Sequence, residues 1–281
     1  MRWILILGLL GLAGVMVFIV GVPGRVTGAQ NTDPVLARLE NSPRHHEWVM
    51  FEASSGRKVR AFLTYPQVKE RAAAVVVIHE NRGLNDWARA VTDELAETGY
   101  LAIAPDLLSG KGPGGGGSDT FASSDAARTA IYQLQAGQII TDLKAALKFV
   151  KSLEACNGKV AVAGFCWGGG QSFRFATESD QLVGAFVFYG VTPRDDEALK
   201  RIHAPVFGFY GENDRRITGQ IGATARRMNA AGKRYEPVVY KGAGHGFMRA
   251  GEYPRGGPAN HAARQAAWKR WMNLLQEEIV R

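Results

Sequence analysis

The sequence predicts an α/β fold, a mostly parallel central sheet with helices on both faces. Two observations carry that reading. Short runs rich in β-branched residues alternate with helical periodicity from Val59 onward. One of them, Ala74 to His79, is apolar throughout, as a strand buried on both faces must be.

In chain order, Val59 to Tyr65 alternates and reads as a strand, and Ala74 to His79 as a buried strand. A helical stretch, Asp86 to Thr98, then leads to a strand at Tyr100 to Pro105, which completes a βαβ unit. Ser124 to Leu153 reads as one long helix, with Ile139, Ile140, Leu143, Ala146, Leu147 and Val150 spaced along one face. The strand Val160 to Phe165 and the helix Gly170 to Thr177 follow. Strands at Val183 to Tyr189 and Val206 to Tyr210, a helix at Thr218 to Ala231, a strand at Glu236 to Lys241 and a closing helix at Asn260 to Glu278 complete the pattern. The low-complexity stretch Gly110 to Ser118 reads as a flexible connector. It follows the carboxyl end of a strand, the edge where open α/β sheets hold ligands.

A chain of 281 residues, 46% of them hydrophobic, has material for one substantial core. The net charge of +8 is spread among 26 acidic residues with no basic run interleaved with aromatics, which argues against a nucleic-acid partner. From Trp3 to Val22 no charge, amide, hydroxyl or proline occurs, and about 20 such residues can span a bilayer. The expectation is an N-terminal apolar helix within residues 1–29 that anchors the protein in a membrane. A cleaved signal segment ending near Thr27-Gly28-Ala29 is the alternative. Residues 30–46 are expected to be a tether, Asn31 to Pro43 being polar and without periodicity, and residues 47–281 an exported, monomeric catalytic domain.

The two cysteines, Cys156 and Cys166, stand at opposite ends of a predicted strand, too far apart for a disulfide, whose Cα atoms lie within about 7 Å. Cys156 reads as a structural thiol. Cys166 sits in Gly164-Phe165-Cys166-Trp167-Gly168 between a strand and a helix, the G-x-nucleophile-x-G elbow with cysteine as nucleophile. The flanking glycines admit a tight turn, and the helix N-terminus behind it favours a thiolate. Such a nucleophile needs a base and an orienting acid after later strands. Asp214 and His245 stand in that order, each past the end of a strand. The acyl oxyanion would be met by the backbone N–H of Trp167 and by the loop His79 to Asn85. His79 and Glu80 at its start are read as functional, because a carboxylate beside a thiol alters its protonation. No metal site is indicated, the adjacent His45 and His46 pointing to opposite faces of an extended segment.

On the stretches "VVVIHENRGLN", "GYLAIAPDLL", "VAVAGFCWGGG", "FYGENDRRI" and "YKGAGHGFMR", the chain from about Val49 to its end resembles the dienelactone hydrolase family of carboxymethylenebutenolidase-like α/β-hydrolases. The resemblance implies the α/β-hydrolase fold and cofactor-independent hydrolysis of a small-molecule lactone or ester. It implies Cys166 as nucleophile, His245 as base, Asp214 as its partner and the amides of Asn81 and Trp167 as the oxyanion hole. It also implies that Glu80 holds Cys166 as a neutral thiol at rest and that Arg249 receives a substrate carboxylate, with Arg128 as a second such arginine. A broad carboxylesterase or peptidase with the same residues, or a catalytically silent binding module, are the competing readings.

Overall fold

A computed structural model describes residues 33–280. Its helices are α1 (Pro34–Glu40), α2 (Asp86–Glu97), α3 (Ser124–Gln133), α4 (Ala136–Ser152), α5 (Trp167–Ala176), α6 (Asp196–Lys200), α7 (Arg215–Thr218), α8 (Ile221–Ala230), α9 (Phe247–Ala250) and α10 (Gly257–Leu275). The strands are β1 (His46–Glu52), β2 (Lys58–Thr64), β3 (Ala72–Ile78), β4 (Leu101–Pro105), β5 (Cys156–Phe165), β6 (Leu182–Phe188), β7 (Val206–Gly211) and β8 (Tyr235–Tyr240). Among the described residues they form one sheet in the order β1-β2-β4-β3-β5-β6-β7-β8. The pairs β1–β2 and β2–β4 are antiparallel and the rest parallel, so the expected mostly parallel sheet is present.

Alternation along each central strand feeds two apolar layers. Val76 and Ile78 of β3 join Leu143, Val150 and Val162 on the α4 side. Val75 and Val77 join Trp87, Val91, Phe188 and Trp271 on the side of α2 and α10. A strand buried on both faces has no polar positions, which is why β3 reads as a continuous apolar run. Register then sets the site: Ile78 is level with Gly164, Phe165 with Phe188, Phe188 with Phe209 and Gly211 with Tyr240. The segments that follow β3, β5, β6, β7 and β8 therefore leave the sheet side by side at its carboxyl edge.

Three sequence readings need correction, and one strand went unread. The long helix expected over 124–153 is two, because Leu134 and Gln135 adopt extended backbone between α3 and α4. Leu134 turns its side chain toward the core there, and neither residue is a helix breaker. The 31–43 stretch, expected to be a featureless tether, contains α1. The Asp33 side chain accepts the Val35 N–H, Pro34 occupies the first turn, and Val35 and Leu39 are buried one turn apart. His46 to Glu52, unassigned from the sequence, is the edge strand β1. The glycine tract is no free connector: it forms two 3₁₀ turns, Pro113–Gly115 and Ser118–Thr120, and a Cβ on Gly117 would lie 2.3 Å from Asp106 Oδ2. The expected N-terminal anchor lies outside the described residues. Among those described, no helix is long and apolar enough to cross a membrane.

Candidate active site

Cys166 joins β5 to α5 at φ 57° and ψ −116°, a conformation that costs a non-glycine residue on the order of 1–3 kcal/mol. The turn closes because Gly164 has no side chain: a Cβ there would stand 2.0 Å from the Gly168 carbonyl oxygen. Trp167 opens α5, so its N–H is one of the helix's unpaired first-turn donors, beside the sulfur. Cys156 lies fully buried at the far end of β5, and both thiols are free.

Asp214 follows β7 and is buried, while His245 follows β8. His245 Nδ1 lies 2.5 Å from Asp214 Oδ2, and Nε2 lies 3.0 Å from Cys166 Sγ. Burial opposes a charge on this ring, but hydrogen bonding and negative charge from Cys166 and Asp214 outweigh it and lift His245 to about 9. A ring protonated at neutral pH donates to both neighbours.

Glu80 is buried next to this line. Its Oε2 accepts from Arg249 Nε at 2.7 Å, and Arg249 sits on α9, one turn past His245. Burial disfavours the charged guanidinium, and the Glu80 carboxylate overrides it, raising Arg249. The structure thus brings Glu80 to Arg249, while the sulfur's hydrogen bond goes to His245. Asn81 comes to the same edge and donates from Nδ2 to the Tyr132 hydroxyl at 3.2 Å. Arg128 does not join them: half exposed on α3, it pairs with Asp125 and makes no hydrogen bond or ion pair to the other predicted site residues.

Two tyrosines escaped the sequence reading. Tyr189, just past β6, is fully buried at φ 42° with its ring 5.1 Å from that of His245. Burial, then the charges of Glu80 and Cys166, hold its hydroxyl well above the usual phenol range, so it is a neutral phenol. Its position at a strand's carboxyl end was the available signal. Tyr132 is exposed and carried none beyond lying one turn from Arg128.

A parallel sheet with a strained cysteine elbow, followed in order by an acid and a histidine that reach it, defines an α/β-hydrolase. The comparisons with known proteins specify it further. The chain belongs to the dienelactone hydrolase family, whose model matches residues 59–279, and it is a hydrolase acting on ester bonds. A Saccharolobus solfataricus protein named "Putative carboxymethylenebutenolidase" is 30% identical over 258 residues, covering 81% of this chain and 97% of its own. One from Yersinia pestis with the same name is 28% identical over 240 residues, covering 81% and 86%. In fold the chain is similar to a dienelactone hydrolase-like promiscuous phosphotriesterase from metagenomic libraries, with TM-score 0.70 and 21% identity over 84% of this chain and 99% of that one. It is also similar to Pyrococcus horikoshii acylaminoacyl peptidase, with TM-score 0.63 and 14% identity over 84% of this chain and 42% of the other.

Proposed function

We propose that the protein is a cofactor-independent thiol hydrolase of small lactones or esters, with Cys166 as nucleophile, His245 as proton carrier and Asp214 as its orienting partner. The observation that supports this best is the unbroken hydrogen-bonded line from Asp214 through His245 to the elbow sulfur. The substrate carbonyl oxygen faces the backbone N–H groups of Asn81 and Trp167, and the thiolate adds to the carbonyl carbon. The tetrahedral oxyanion collapses, and His245 gives its Nε2 proton to the departing alkoxide, leaving a thioester on Cys166. His245, now neutral, takes a proton from water as the resulting hydroxide attacks the acyl carbon. Collapse expels the thiolate beside a reprotonated His245 and releases the acid.

Arg249 selects substrates that carry a carboxylate near the scissile bond. Its contact with Glu80 uses Nε, which leaves the terminal nitrogens to present a fork to an anion. An incoming carboxylate competes with Glu80 for the same cation, so substrate binding and the freedom of Glu80 are linked. The Trp3 to Val22 run supports a domain exported and held at a membrane, which fractionation of the full chain into membrane and soluble portions tests.

The deciding experiment measures turnover of 4-nitrophenyl acetate, a butenolide and a carboxylated dienelactone by the full chain and by Cys166→Ala. Loss of all turnover in the variant is expected, and retained turnover contradicts the thiol mechanism. Arg249→Ala is expected to lower kcat/KM at least about 10-fold for the carboxylated lactone and to leave the aryl ester within a few-fold. Equal loss on both would remove the anion-binding role.

A further inference from the structure

The loop between β3 and α2, which carries Asn81, is held at two points, and both holds come from the connection that follows β4. At its start stands His79, fully buried. Its Nδ1 is 2.8 Å from the Glu80 carbonyl oxygen, and its Nε2 is 3.4 Å from the Leu107 backbone nitrogen. Those partners fix one tautomer: Nδ1–H donates to the carbonyl, and Nε2 accepts the Leu107 N–H. Burial keeps the ring neutral by lowering its pKa against the pull of the nearby Asp106 and Glu80 carboxylates, which a ring that must accept at Nε2 requires. At the loop's end the Leu84 N–H donates to Ser118 Oγ at 2.8 Å. Ser118 is in turn fixed on Asp106, its hydroxyl donating to Oδ1 at 2.6 Å and its N–H to Oδ2 at 2.7 Å.

The peptide between Glu80 and Asn81 is planar and trans, so its carbonyl and its N–H project to opposite sides. Pinning the Glu80 carbonyl therefore aims the Asn81 N–H. The His79 ring also stacks on the Trp167 indole, with centroids 5.8 Å apart and planes 13° from parallel, so a single side chain bonds to the Glu80–Asn81 peptide and packs on the residue that carries the other N–H donor. We propose that His79 is a positioning residue for the oxyanion hole, aiming the Asn81 N–H through the Glu80 carbonyl and backing Trp167, with Ser118 as the second hold on the same loop. This inference rests on the thiol-hydrolase reading.

The test compares two reactions of Cys166 in the full chain. Hydrolysis of 4-nitrophenyl acetate forms an oxyanion, whereas alkylation by iodoacetamide displaces iodide at a saturated carbon and forms none. His79→Phe retains a ring against Trp167 and removes both nitrogens. Its kcat is expected to fall about 100-fold, with KM and the alkylation rate each within about 3-fold of wild type. His79→Asn, which returns an amide donor near the position of Nδ1, is expected to recover about 10-fold of that loss. A His79→Phe kcat within about 3-fold of wild type overturns the proposal, as does an alkylation rate that falls in step with kcat. Should His79→Phe fail to fold, Ser118→Ala decides: kcat about 10-fold down with alkylation unchanged supports the proposal, and unchanged kcat overturns it. Turnover that survives Cys166→Ala in the same assay would instead sink the thiol mechanism itself.

Discussion

His245 carries the clearest pH signature at the scale of single residues. Its proton is held up to about 9, above the ordinary 6.5, because Cys166 and Asp214 outweigh the penalty of burial. A group whose pKa is raised by folding contributes stability that is complete below 6.5 and lost as pH climbs through about 9. In the proposed mechanism the same proton goes to the leaving group. For alkyl esters, whose alkoxides need it, kcat/KM is expected to fall above about pH 9, while 4-nitrophenyl esters, whose leaving group needs little help, show a weaker alkaline limb. Asp214→Asn removes a charge and the better acceptor, so the limb moves to lower pH. A limb that stays in place for that variant would mean Asp214 does not tune the imidazole. Cys166, Asp214 and His245 were legible in the sequence because glycines mark each turn and strand ends fix the order. Tyr189 was not, since an aromatic closing an apolar strand reads as core, and the Glu80–Arg249 pair was not, since it joins residues 169 positions apart.

Among the connecting elements, the glycines divide by what surrounds them, and one substitution gives three different outcomes. Gly164→Ala puts a Cβ 2.0 Å from a backbone oxygen in the elbow, where neither strand nor helix can give way. The expected cost is at least about 3 kcal/mol in chemical denaturation, with loss of activity. Gly117→Ala meets the Asp106 carboxylate at 2.3 Å and is expected to cost about 1–3 kcal/mol, loosening Ser118 with it. Gly137→Ala lies exposed in the first turn of α4 with nothing within 4 Å, and is expected to gain up to about 0.5 kcal/mol. If Gly117→Ala proves neutral, the tract is a connector after all. Composition alone suggests that reading, because "GPGGGGS" records flexibility and not the side chains that fold around it. The α3–α4 break was equally silent, Leu134 and Gln135 both being ordinary helix formers whose extended backbone is imposed by tertiary packing.

The molecule as a whole extends further toward its N-terminus than a domain beginning at residue 47 would. Val35 and Leu39 of α1 are buried in the layer that also holds Trp87 and Val91. Beyond α1, Arg44 donates from Nε and Nη2 to the two oxygens of Asp93 at 2.9 and 2.7 Å, and the Ser42 hydroxyl donates to the same carboxylate. Asp93 lies fully buried in α2, so this short segment supplies its only cation among the described contacts. A chain that begins at residue 46 leaves that carboxylate without its partner, at about 3–5 kcal/mol, and exposes the surface covered by two aliphatic side chains worth about 1.5–3 kcal/mol each. Against a typical total of about 5–15 kcal/mol, the shortened chain should sit near the edge of folding. Urea unfolding of chains 33–281 and 46–281 is expected to show a midpoint sharply lower for the second. Asp93→Asn in the shorter chain should raise it again, by removing the orphaned charge. Equal midpoints for the two chains would restore the boundary at residue 47 and make α1 a passenger. A low midpoint that Asp93→Asn does not lift would place the whole contribution in the apolar contacts of Val35 and Leu39.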